Sequence, residues 1–234
     1  MQVIHYPAIR DWVKSTYPHS YSFLMDNFSS YGGVFMVGGV IRHYFLRNRP
    51  NIKRTRLNDL DVTVDGITTT ELRTVPGLTI EEFPPSSSRG LITLDGPLLD
   101  IWPLQETSGL EEFNLPKNIV GVLMRGVLNL DKVAVDLRDG KTYDLGGLDA
   151  ILEERISYCP ARPYLEELNA ARILIYQRKT EFSLDESAVR HLELVRRGMT
   201  PEKEDELRRE VGKKYPELVD WVIGKLAGRG HEPR

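Results

Sequence analysis

The stretch DLDVTVD at residues 59–65 restricts the fold of this chain more than any other segment. Leu60, Val62 and Val64 alternate with Asp59, Asp61, Thr63 and Asp65, and a period of two belongs to a β-strand with one buried face. The segment must therefore lie in a sheet, one side against a core and the other carrying a row of carboxylates. Partner strands can be read nearby. Val34, Phe35, Met36 and Val37 form a short apolar run between glycine pairs, suited to a buried strand. LITLDGPLLDIWPL (91–104) reads as two strands joined across Asp95-Gly96, and residues 127–145 as further strand and turn, with Asp139-Gly140 as another turn.

Helical spacing surrounds this material. Ile9, Trp12, Val13, Tyr17, Phe23, Leu24 and Phe28 recur every three to four residues, broken near Pro18. Ile41, Tyr44 and Phe45 suit a helix after Gly38-Gly39. Residues 70–90 read as a short helix and then a loop, EEFPPSSSRG, marked by its prolines and serines. From Gly146-Gly147 onward every long segment has helical periodicity, with Ser183 and Thr200 as candidate caps of the last two helices. The expectation is an α+β chain: a mixed-sheet unit over residues 1–148, an all-helical unit over 149–228 and a disordered tail at 229–234.

The chemistry rests on a few residues. Two carboxylates two positions apart on a strand share a face, and they repel unless exposed or sharing a cation. Asp59 and Asp61 therefore suit Mg²⁺, whose octahedron is completed by substrate phosphates, and a two-metal site wants a third acid from a neighbouring strand. Asp100, inside the apolar LLDIWPL, fits that part; Asp95, beside Gly96, reads as turn chemistry. Gly38-Gly39 between strand and helix brings backbone N–H groups close to an anion, and Arg42, one turn on, is a forked donor for the same triphosphate. That order of parts suits nucleotidyl transfer.

Other features are weaker. Arg47, Arg49, Lys53, Arg54 and Arg56 form a basic run that reads equally as a contact to the phosphates of an acceptor or as a solvated loop. The histidines show no paired spacing for zinc, Cys159 has no catalytic partner in view, and Trp102, Tyr176 and Trp221 read as core. A formal charge of −3 supplies no global basic field. A lone cysteine, an N-terminus without a basic start and apolar run, and no stretch near the ~18–20 apolar residues needed to span a bilayer lead to a cytoplasmic, non-membrane expectation.

VGGVIRHYFL followed by LNDLDVTVDG resembles the head-domain signature of the polymerase-β-like nucleotidyltransferase superfamily. Within it the chain is most similar to the head and neck of class II CCA-adding enzymes and bacterial poly(A) polymerases, with GG-x-x-R and then D-x-D. TYDLGGLDAILEERI resembles the end of that head, and ELNAARILIYQRKTEFSLDESAVRHL the start of the helical neck. The resemblance implies a nucleotidyltransferase head and a neck-like helical domain. It implies Asp59, Asp61 and Asp100 as catalytic ligands of two Mg²⁺ ions, with Mn²⁺ as a substitute. Gly38, Gly39 and Arg42 would hold the triphosphate of ATP or CTP, Asn118 and Arg172 would be further nucleotide contacts, and an RNA or tRNA 3′ end would be the acceptor.

The sequence departs from that pattern in places. His43 follows Arg42 where the family has an acid, FNLPKNIVG stands for an arginine-rich run, with Asn118 its one counterpart, and CPARPYLEEL stands where E-D-x-x-R is expected. Two functions follow: a metal-dependent nucleotidyltransferase, or a catalytically inactive homologue that binds nucleotide or RNA as a sensor or adaptor. The oligomeric state is left open.

Overall fold

Residues 1–48, 57–83, 87–161 and 165–229 are described by the computed structural model. The chain begins with β1 (Gln2–His5), α1 (Pro7–Thr16), α2 (Pro18–Phe28), β2 (Gly33–Val37), α3 (Gly39–Leu46) and β3 (Asp59–Asp65). There follow α4 (Thr69–Leu72), β4 (Thr79–Phe83), β5 (Ser87–Thr93), β6 (Leu98–Pro103), α5 (Ile119–Arg125), β7 (Val133–Asp136), β8 (Lys141–Asp144) and α6 (Gly147–Leu152). A short β9 (Arg155–Ile156) leads to α7 (Glu166–Thr180), β10 (Ser183–Leu184), α8 (Glu186–Arg197), α9 (Pro201–Lys214) and α10 (Val219–Leu226).

Eight strands form one mixed sheet in the order β1-β8-β7-β2-β3-β6-β5-β4. β3 and β6 run parallel, with Asp61 opposite Asp100, while the remaining ladders of this sheet are antiparallel. Alternation fixes this register, since a slip of one residue would turn Leu60, Val62 and Val64 out of the core and bury the carboxylates. Those three side chains, with Val34, Met36, Leu99 and Ile101, pack on one face against Ile9, Val13, Leu24, Phe28, Val40 and Ile41 of α1 to α3. The opposite face carries a smaller cluster in which Phe35 and Val37 meet Leu104, Ile119 and Leu123. The larger core also takes in Ile151, Ile156, Ile173, Phe182 and Ala188, so apolar packing is continuous across residue 148. A third core joins α7, α8, α9 and α10 through Leu174, Val195, Leu207, Val211 and Val222.

The break at Pro18 and the hairpin over Asp95-Gly96 are both present, and they meet. Asp95 accepts from the Ser20 backbone N–H at 2.6 Å and pairs with His19 Nδ1 at 2.7 Å, placing a carboxylate on the first turn of α2, where the helix dipole favours it. Burial would raise its pKa, but these contacts hold it below the ordinary carboxylate value.

Several expectations need correction. The segment expected as a loop at 81–90 contributes to the paired strands β4 and β5, with Arg89 opposite Glu81. β1, which sequence periodicity did not show, is an edge strand whose exposed residues pair with β8 alone among the described residues. Thr200 caps α9 as expected, but α8 is capped by Asp185, which accepts from Ala188 N at 3.0 Å, while Ser183 lies in β10. Of the tail expected to be disordered, Arg229 is described and pairs with Glu204; the rest lies outside the described residues. No helix among the described residues is long and apolar enough to cross a membrane.

Candidate active site

Side chains of a strand alternate, so Asp59 and Asp61 leave β3 on the face opposite Leu60 and Val62, and the parallel register puts Asp100 of β6 on that same face. Asp59 and Asp61 line a cavity of about 960 Å³, bounded beyond the sheet by α3, α5, α7 and α9. Its size matches a small-molecule site. Asp100 is buried at 8% exposure. Its Oδ2 accepts from Arg89 Nη1 at 2.9 Å, and its Oδ1 is buried without a hydrogen-bond partner.

Electrostatics tie the three acids together. Burial pushes Asp61 up to about 7, reinforced by the charges of Asp59 and Asp100 and opposed by Lys214 and Arg89. Burial raises Asp100 as well, against Arg89 and Lys214. As they stand, the carboxylates do not close on one point: among the described residues no three acid, His or Cys side chains are grouped to hold an ion. Arg89 occupies the position beside Asp100 that a cation would otherwise take. The donor set nevertheless suits a hard divalent ion, being all carboxylate, with one buried oxygen lacking a donor and one acid held against ionisation by its neighbours.

Gly38 closes the near side. It has φ +70° and ψ −131°, and a Cβ built there would lie 3.1 Å from Asp61 Oδ2. Glycine is required twice, for the backbone and for the close approach of the carboxylate. Gly38→Ala is expected to lower stability by about 1–3 kcal/mol and to displace Asp61. A thermal melt beside a Mn²⁺ titration checks both; an unchanged melting temperature would remove the argument for strain.

The remaining expected residues divide. Arg172 lines the cavity. Arg42 lines it too, but its guanidinium is tied elsewhere: Nη1 reaches Asp131 at 3.1 Å and Cζ lies 4.1 Å from the centre of the Tyr176 ring. Asn118 is outside the cavity lining, and its Oδ1 caps α5 by accepting from Val120 N at 3.0 Å and Gly121 N at 3.2 Å. Arg47 lines the cavity beside Tyr44 and donates to that residue's carbonyl oxygen. Arg49, Lys53, Arg54 and Arg56 lie outside the described residues.

Sequence reasoning missed several cavity residues. Lys179 of α7, and Lys214 and Tyr215 at the end of α9, line the far wall, and Trp102 and Tyr176, read as core, line the cavity as well. A lysine at a helix C-terminus looks like a partner of the helix dipole, and no local pattern reveals that α9 folds back over a strand about 150 residues earlier.

No family model and no curated protein sequence matches this chain. Its fold recurs among solved structures. A tRNA-processing enzyme in an apo form superposes with a TM-score of 0.59 and 16% identity, over 95% of this chain and 60% of that one. The Bacillus stearothermophilus CCA-adding enzyme, solved in complex with CTP, superposes with a TM-score of 0.56 and 12% identity, over 91% of this chain and 52% of that one. The chain thus spans a little over half the length of these two solved enzymes, and at such identities what is shared is the fold.

Proposed function

We propose that this chain, built on the fold of the CCA-adding enzyme, is a metal-dependent nucleotidyltransferase that moves a nucleoside monophosphate from an NTP to a hydroxyl acceptor. One observation carries the reading: Asp59, Asp61 and Asp100 leave adjacent parallel strands on one face, and the first two line a cavity whose near side is the glycine turn of α3, with Asp100 buried beside them. The ligands of a divalent ion would be these three acids. When bound, such an ion supplies polarisation of the α-phosphate and a lowered pKa for the attacking hydroxyl. The chain's own residues do the rest. The absence of a side chain at Gly38 lets a phosphate approach the start of α3, and the cationic lining offsets the charge of a polyphosphate. ATP or CTP as donor and an RNA or tRNA 3′ end as acceptor are the substrates that the resemblance and the shared fold favour.

A second reading is favoured by a specific contact. Arg89 already neutralises Asp100, as it would in a catalytically inactive homologue that binds nucleotide or RNA. The two separate in one assay. Incubation with each labelled NTP, Mg²⁺ and total RNA is expected to release pyrophosphate and label RNA, and Asp59→Ala with Asp61→Ala is expected to abolish both. Inertness with every NTP, together with a nucleotide-dependent rise in melting temperature, would establish the binding module instead.

A further inference from the structure

Several cations of the cavity are already engaged. Arg42 is held by Asp131 and Tyr176, Arg89 by Asp100, and Arg47 lies on Tyr44. Arg172, Lys179 and Lys214 also line the cavity, yet none of the three has a carboxylate within ion-pair distance among the described residues. They come from two helices that share a core, Arg172 and Lys179 from α7 and Lys214 from α9. Lys179 is half-buried, its Nζ 4.0 Å from the centre of the Tyr215 ring, so a ring face positions the ammonium. Lys179 feels the charges of Glu217 and Asp59 only from beyond ion-pair contact, and cations held on a cavity wall in this way stay available to an anion that enters. Lys214 lies near enough to the carboxylate row for its charge to oppose the rise of both Asp61 and Asp100.

We propose that Arg172, Lys179 and Lys214 form the seat for a polyphosphate, so that the charged end of the ligand is held by the helical wall and not by Arg42. This deepens the nucleotidyltransferase reading and rests on it for the identity of the ligand, a nucleoside triphosphate or its pyrophosphate product. The seat accounts for a chain that lines its cavity with carboxylates yet takes an anionic substrate: Asp59 and Asp61 stand on the sheet, and the three cations without an ion-pair partner come from the helices. Tyr215, half-buried against Lys179, completes the wall.

The probe is inorganic tripolyphosphate, titrated calorimetrically into the metal-free full chain at low salt. Lys179→Ala and Lys214→Ala are each expected to weaken binding about tenfold, and the double variant about a hundredfold, with affinity falling as salt rises. Arg178→Ala, on α7 with its guanidinium over Trp221, controls for loss of any cation from that helix and should bind as wild type. Melting curves without ligand verify that each variant is folded. Wild-type affinity in folded Lys179→Ala and Lys214→Ala would overturn the seat. Loss of tripolyphosphate binding in an Arg42→Lys variant that melts like wild type would assign the seat to Arg42 and overturn it equally. Tripolyphosphate binding that depends on the lysines, in a protein that transfers no nucleotide, would instead sink the catalytic reading and leave the seat standing.

Discussion

Asp61→Asn is expected to make the metal-free protein more stable while removing the nucleotidyl transfer proposed for it. Asp61 is partly buried between Asp59 and Asp100, and its pKa rises from 3.8 to about 7. A folded-state pKa above the unfolded one means that the folded protein binds the extra proton. The acid therefore carries no penalty below about pH 4, and a penalty that grows as pH climbs through about 7. An asparagine has no such penalty. In chelator the two proteins should melt together near pH 4, and the variant should pull ahead toward pH 8 by on the order of 2 kcal/mol, or roughly 4–8 °C for a chain of this size. Divalent ion should reverse the order, because an ion bound only by the folded wild type adds stability by mass action. Transfer should fall at least ~10²-fold, the scale of removing one preorganised electrostatic contact. Parallel melting curves for the two proteins across this pH range would mean that Asp61 is solvated, and the carboxylate row would lose its meaning as a site.

The second large effect concerns Arg42. Its place after the glycine turn suggests a phosphate contact, but in the folded chain it joins three segments: its own helix α3, Asp131 in the turn before β7, and Tyr176 on α7. Its side chain is 10% exposed and that of Asp131 21%, so removing the guanidinium leaves a carboxylate in a place with little water. Arg42→Met is expected to destabilise the ligand-free protein by about 2–3 kcal/mol, somewhat below the loss typical of a fully buried pair. Asp131→Asn should lose less, and the double variant should cost less than the sum, a positive coupling in a double-mutant cycle. Urea denaturation of the four proteins measures this. A residue acting only on triphosphate would leave the ligand-free midpoint unchanged and weaken nucleotide binding alone.

The two substitutions act in opposite directions for one reason. Asp61 is a carboxyl held between like charges by the rest of the fold, at the loss of stability expected of the metal ligand it is proposed to be. Arg42 is a fastening between the sheet half and the helical half. A phosphate-facing motif residue can thus become a structural one when a nearby acid and a tyrosine ring satisfy its charge.

What the amino-acid sequence determined by itself was local and periodic. Alternation at residues 59–65 sufficed for a strand with a carboxylate face, because side-chain direction in a strand follows from the backbone alone. The hairpin at Asp95-Gly96, the break at Pro18 and the cap at Thr200 were legible for the same reason: each depends on a few neighbouring residues. Tertiary structure decided the rest. Only the parallel pairing of β3 with β6 brought Asp100 level with Asp61, and only the packing of α7 and α9 over the sheet brought Lys179 and Lys214 to its acids. Arg42, Asn118 and Arg89 took roles that spacing could not show, because a charged or polar group is assigned by whichever partner the fold buries beside it. Those partners came from segments distant in the chain, and their separation in sequence carries no trace of the contact.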